Sequence, residues 1–86
     1  MGAAAEKLLE RMRQSKAGWK RADLDRLYAG FDFDIRHGKK HDIVVHSKFR
    51  TLRATLPRHN YVAKQYVEHA IQLIDELQQL AKGASK

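Results

Sequence analysis

Between Phe31 and Pro57 apolar side chains recur at every second position, and on either side of that stretch they recur every three or four. This change of period constrains the fold most, because a repeat of two belongs to a half-buried strand and a repeat of 3.6 to an amphipathic helix. Phe31, Phe33 and Ile35 alternate with Asp32, Asp34 and Arg36, which predicts a first strand. His37-Gly38-Lys39-Lys40 is a turn, with Gly38 suited to a positive φ. A second strand is predicted from His41 to His46, centred on Ile43-Val44-Val45. Ser47-Lys48-Phe49 turns the chain again, and a third strand follows in which Leu52, Ala54 and Leu56 alternate with Thr51, Arg53 and Thr55. Pro57 ends it, since proline cannot donate to a strand ladder.

Helical spacing frames this block. Ala5, Leu8, Leu9 and Met12 predict a helix over residues 4–14, broken by Gln14-Ser15-Lys16-Ala17-Gly18. A second helix is expected from Arg21 to Ala29 with apolar face Leu24, Leu27, Tyr28 and Phe31, and with Trp19 stapling its start. Asp23 and Asp25 suit the positive end of its dipole, and Gly30 can close it in the left-handed conformation. A long third helix is expected after an Asn60 cap, with an apolar stripe of Ala63, Tyr66, Val67, Ala70, Ile71, Ile74, Leu77 and Leu80 reaching Gly83. The resulting order is α-α-β-β-β-α. That is an α+β fold: a three-stranded antiparallel sheet with helices on one face and the other face in solvent. Asp32, Asp34, Arg36, Arg53 and Thr55 belong to the open face. No linker or repeat divides the chain, so residues 1–86 form one domain, frayed at about 1–4 and 82–86.

A chain of 86 residues hides only about 60% of its unfolded surface, so the core is thin. It has no cysteine, which excludes disulfides and thiolate metal sites. The longest apolar runs are far too short to span a bilayer, and residues 1–5 lack the basic and apolar regions of a secretory signal, so a cytoplasmic protein is expected. Seventeen Lys and Arg against ten Asp and Glu give a net charge of +7. Such a field attracts polyanions, and nucleic acid first, because each neutralised phosphate releases counterions. An acidic protein would be drawn by the same field.

The basic residues gather with histidines in "HGKKHDIVVH", residues 37–46. A glycine turn separates His37 from His41, so the two are not stacked on a helix, and no carboxylate pattern completes a metal motif. No serine stands in a nucleophile elbow, and no phosphate-binding glycine loop occurs. What remains is a turn rich in backbone donors and ammonium groups that opens into a histidine. Attack of an RNA 2′-hydroxyl on the adjacent phosphate needs a proton acceptor and nearby positive charge, and no metal or cofactor beyond that. His46 reads as a surface or strand-pairing residue, His69 as a solvated helix position, and His37 as either a phosphate contact or loop decoration. Spacing alone leaves open whether any ring is chemical.

The run from about Glu6 to Gln79 resembles the HicA toxins, RNA-cleaving partners of HicB antitoxins. The matching stretches are "GWKRADLDRLYAGFDFDIR", "GKKHDIVVH", "TLPRHN" and "IQLIDELQQL". The resemblance implies a fold like the double-stranded RNA-binding domain, α-β-β-β-α, and a metal-independent endoribonuclease that cuts mRNA with one catalytic histidine. Gly38-Lys39-Lys40-His41-Asp42-Ile43 takes the place of the family's Gly-Ser-x-His turn, which carries the catalytic role onto His41. Lys39 stands where the family has serine, so a hydroxyl that could orient phosphate is missing, and Val44 replaces a frequent aromatic residue. In this picture Lys39 and Lys40 hold the scissile phosphate and Gly38 lets backbone N–H groups approach it. Arg36, Arg53, Arg58 and His59 are candidates for the RNA backbone, with His59 alternatively the acid for the leaving 5′-oxygen. A HicB-like antitoxin is the implied protein partner. The rival readings are an RNA-binding module that does not cut and a domain whose basic face docks an acidic protein. Regular alternation puts His41 on the side of Ile43 and Val45, and the pattern leaves open which side is buried.

Overall fold

The computed structural model describes residues 3–84, in six elements: α1 (Ala3–Gln14), α2 (Arg21–Gly30), β1 (Phe33–His37), β2 (Asp42–His46), β3 (Arg53–Leu56) and α3 (Lys64–Ala84). The fold is α+β in the expected order. The strands form one antiparallel sheet, β1-β2-β3. Phe33 stands opposite His46 and His37 opposite Asp42, while Asp42 also faces Leu56 and Val45 faces Arg53. This register puts Phe33, Val44 and Leu56 on the face the helices cover, and leaves Asp34, Arg36, Arg53 and Thr55 exposed on the other. Val44 therefore marks the buried side of β2, and Ile43 and Val45 lie half-buried on the open side.

One apolar cluster runs through all six elements, with Met12, Leu24, Leu27, Tyr28, Val44 and Ile74 fully enclosed. Truncating a buried Leu, Ile or Met to Ala costs about 2–5 kcal/mol, a large share of the stability of a domain this small. α1 closes on α2 where a Cβ on Gly30 would stand 2.3 Å from the Ala5 Cβ, so only glycine allows that approach. Arg13 of α1 pairs with Asp75 of α3. A short clasp joins the segments before α2 and α3: Lys20 bridges Tyr61, Arg21 N–H donates to Asn60 O at 2.9 Å, and Val62 N–H to Trp19 O at 3.1 Å.

Several local expectations change. Phe31 is not in β1; it follows α2 in a turn, and Asp32, at φ 67°, takes the left-handed conformation assigned to Gly30. Asp32 is thus off the sheet. Only Asp23 lies in the first turn of α2, where its Oδ2 accepts the Lys20 N–H at 3.0 Å, while Asp25 pairs with Arg21 one turn apart. Asn60 does not cap α3, because its carbonyl is held in the clasp and the helix begins at Lys64. On α3 Leu73 is buried and Leu80 exposed, and Ala63, exposed as well, precedes the helix. Ala3, Ala4 and residues 82–84 are helical, and the rest of the expected frayed ends lies outside the described residues. No described helix is long and apolar enough to cross a membrane.

Candidate functional site

The site is built on the β1–β2 hairpin. His37 ends β1 and Asp42 opens β2 directly opposite, so residues 38–41 form the connecting loop. Gly38 N–H donates to His41 O at 3.1 Å across its base. Among the described residues only Gly18 and Asp32 have a positive φ, so Gly38 is not needed for the conformation expected of it. It is needed for space: a Cβ there would lie 2.5 Å from His41 O, closer than any real contact.

Asp42 falls on the core parity of β2, with a side chain only 4% exposed. Its Oδ2 lies 2.7 Å from Arg21 Nη2. Its Oδ1 accepts from His37 Nδ1 and from Arg58 Nε, each at 3.0 Å. The hydrogen bond from His37, with those from the two guanidinium groups, holds the Asp42 carboxyl far below the usual carboxylate range against the opposing effect of burial. A carboxylate that stays ionised can only accept, so His37 Nδ1 carries a proton. Arg21 also donates to Pro57 O at 2.9 Å and to Asp25 at 2.7 Å, which ties α2 to the chain leaving β3. Arg58 donates to the carbonyls of Gly38 and Lys39 as well as to Asp42. Through these bonds the guanidinium acts as a strut for the loop, with its side chain still 45% exposed.

His41, expected as the first residue of its strand, lies in the loop and is exposed, as are Lys39 and Lys40. Its side of the strand continues as the open face, so the core does not enclose it. His59 follows Arg58 and is also exposed. Arg36 and Arg53 form a separate group on the open face, where they share a cleft with Arg50, Asp34, Val45 and Ser47. The structure thus divides the basic candidates into a loop set and a sheet set.

His46 overturns its surface assignment. It is buried, its ring packs edge-on against Phe33 with centroids 4.9 Å apart, and its Nδ1 accepts the N–H groups of Lys48 and Phe49 at 3.0 and 3.1 Å. That ring holds the β2–β3 turn through Nδ1, and His46 also lines the cleft of Arg36, Arg50 and Arg53. The residues that pattern reading missed are Asp42 and Arg21. The available signal was an acidic residue at the parity of Val44, flanked by candidate basic partners. Among the described residues no three His, Cys, Asp or Glu side chains are grouped as metal ligands.

A buried carboxylate that fixes a basic, histidine-bearing hairpin loop on an α+β scaffold is the defining arrangement of the molecule. In comparisons with known proteins, no family model, curated protein or solved structure matches the chain.

Proposed function

We propose that the protein is a HicA-like toxin, a cytoplasmic, metal-independent endoribonuclease that cuts mRNA and is silenced by a HicB-like antitoxin. One observation carries the reading: His41 is exposed between two exposed lysines and buried Asp42, whose partner Arg58 holds the carbonyls of Gly38 and Lys39. Proton transfer requires a ring that can reach the 2′-hydroxyl, and rate depends on holding it there. In the reaction His41 accepts the 2′-hydroxyl proton while Lys39 and Lys40 stabilise charge on the phosphorane. The products are a 2′,3′-cyclic phosphate and a 5′-hydroxyl.

His41→Ala is expected to slow cleavage by about 10²–10⁴-fold with an unchanged unfolding midpoint, because the side chain is exposed. Cyclic phosphate at the new 3′ end, measured by mass spectrometry, separates cleavage from simple RNA binding. Wild-type rates in His41→Ala would remove the assignment.

A further inference from the structure

Resting on that endoribonuclease reading, we propose that His37 is a second catalytic residue, the general acid that protonates the leaving 5′-oxygen. His37 is the histidine that the fold equips for the task. Its Nδ1 donates to Asp42 Oδ1 at 3.0 Å, and that carboxylate is itself fixed by Arg21 and Arg58 from outside the hairpin. With Nδ1 occupied, Nε2 is the one ring nitrogen left to exchange a proton with a substrate. The His37 side chain is 80% exposed, so Nε2 is reachable. An immobile carboxylate behind an imidazole fixes both tautomer and ring orientation, the part that carboxylate plays in hydrolytic triads. His41 and His59 make no side-chain hydrogen bond among the described residues, so neither has such support.

The chemistry asks for two groups. In an in-line displacement the attacking and leaving oxygens stand on opposite sides of phosphorus, so one ring cannot serve both at once. His37, at the parity of Asp42, and His41, toward the open-face side, flank one loop that a hydrogen bond from Gly38 N–H to His41 O closes at 3.1 Å. In the step the 2′-oxygen–phosphorus bond forms and the phosphorus–5′-oxygen bond breaks. His41 enters neutral and takes the 2′-hydroxyl proton, while His37 enters as the imidazolium, keeps Nδ1–H on Asp42 and gives its Nε2 proton to the 5′-oxygen. Exchange with water then restores both rings.

The test uses the full chain and two RNA oligonucleotides, one with the natural 5′-oxygen at the cleavage site and one with bridging sulfur there. A thiolate leaves without being protonated, so the sulfur substrate bypasses a general acid. His37→Ala is expected to cut the oxygen substrate at least about 10²-fold more slowly and the sulfur substrate near the wild-type rate. His41→Ala is expected to be slow on both. His37→Gln keeps an amide donor toward Asp42, so its folding is preserved and the same selective loss is expected. His69→Ala, on α3 and outside the hairpin, should match wild type on both. Equal slowing of both substrates by His37→Ala and His37→Gln would assign His37 to RNA binding and overturn the proposal, as would slowing of neither. If wild-type protein cuts neither substrate, the endoribonuclease reading fails and this one with it.

Discussion

Among the described residues three polar side chains, those of Asp42, His46 and Tyr28, enter the interior, and they do so on different terms. Asp42 collects a histidine and two arginines, and His46 accepts two backbone N–H groups. The Tyr28 hydroxyl is buried with no hydrogen-bond partner among the described residues, and burial pushes its pKa up. Its ring is well used, packed edge-on against Phe33 at 5.0 Å. An unsatisfied buried hydroxyl costs about 1–3 kcal/mol, whereas an apolar group of the same shape costs nothing comparable. Tyr28→Phe is therefore expected to stabilise the protein by up to that amount. Urea unfolding should show a higher midpoint with an unchanged slope. A lower midpoint would mean that the hydroxyl is bonded after all.

At the scale of elements, Asp42 joins β2 to α2 through Arg21 and to the segment after β3 through Arg58. Its folded pKa lies below the unfolded value of about 3.9, so the linkage has a definite sign. The stability it contributes is present above about pH 4 and is lost as pH falls further toward the folded pKa. Asp42→Asn should lower stability at neutral pH and flatten its decline below about pH 4. Urea midpoints measured between neutral and strongly acidic pH test this, and parallel curves for both proteins would contradict it. The strands were legible in the sequence because a repeat of two is a local property. The buried side of β2 was not legible, because Ile43 and Val45 look more apolar than Asp42, Val44 and His46. Asp42 goes inward because partners 21 residues before it and 16 after it arrive in the fold to meet it. Asn60 failed as a helix cap for the same kind of reason, since its carbonyl is taken by Arg21 of another element. The catalytic candidate was legible as an unusual turn, but the carboxylate behind His37 becomes visible only once the hairpin register is known.

Over the whole molecule the net charge is +7, and two of its basic groups are the loop lysines and the arginines of the open sheet face. If RNA runs across both, each phosphate contact contributes to the salt dependence of binding. Lys40→Ala and Arg53→Ala should each flatten the plot of log affinity against log salt by about one unit. A slope changed by Lys40→Ala alone would confine RNA to the loop. On the proposed reading the same loop is where an inhibitor would dock, since complementary charge speeds encounter. A HicB-like antitoxin bound there should abolish cleavage of a short RNA by the purified complex, and undiminished cleavage would place the antitoxin elsewhere. The manner in which Arg58 grips the loop bears on how such a protein can change. It holds carbonyl oxygens that every residue possesses, at Gly38 and Lys39, and leaves the side chains at 39 and 40 untouched. Substitutions at those two positions can accumulate without altering the loop's shape, so a lineage can revise what the loop recognises, or evade an inhibitor, while Gly38, Asp42 and Arg58 stay fixed.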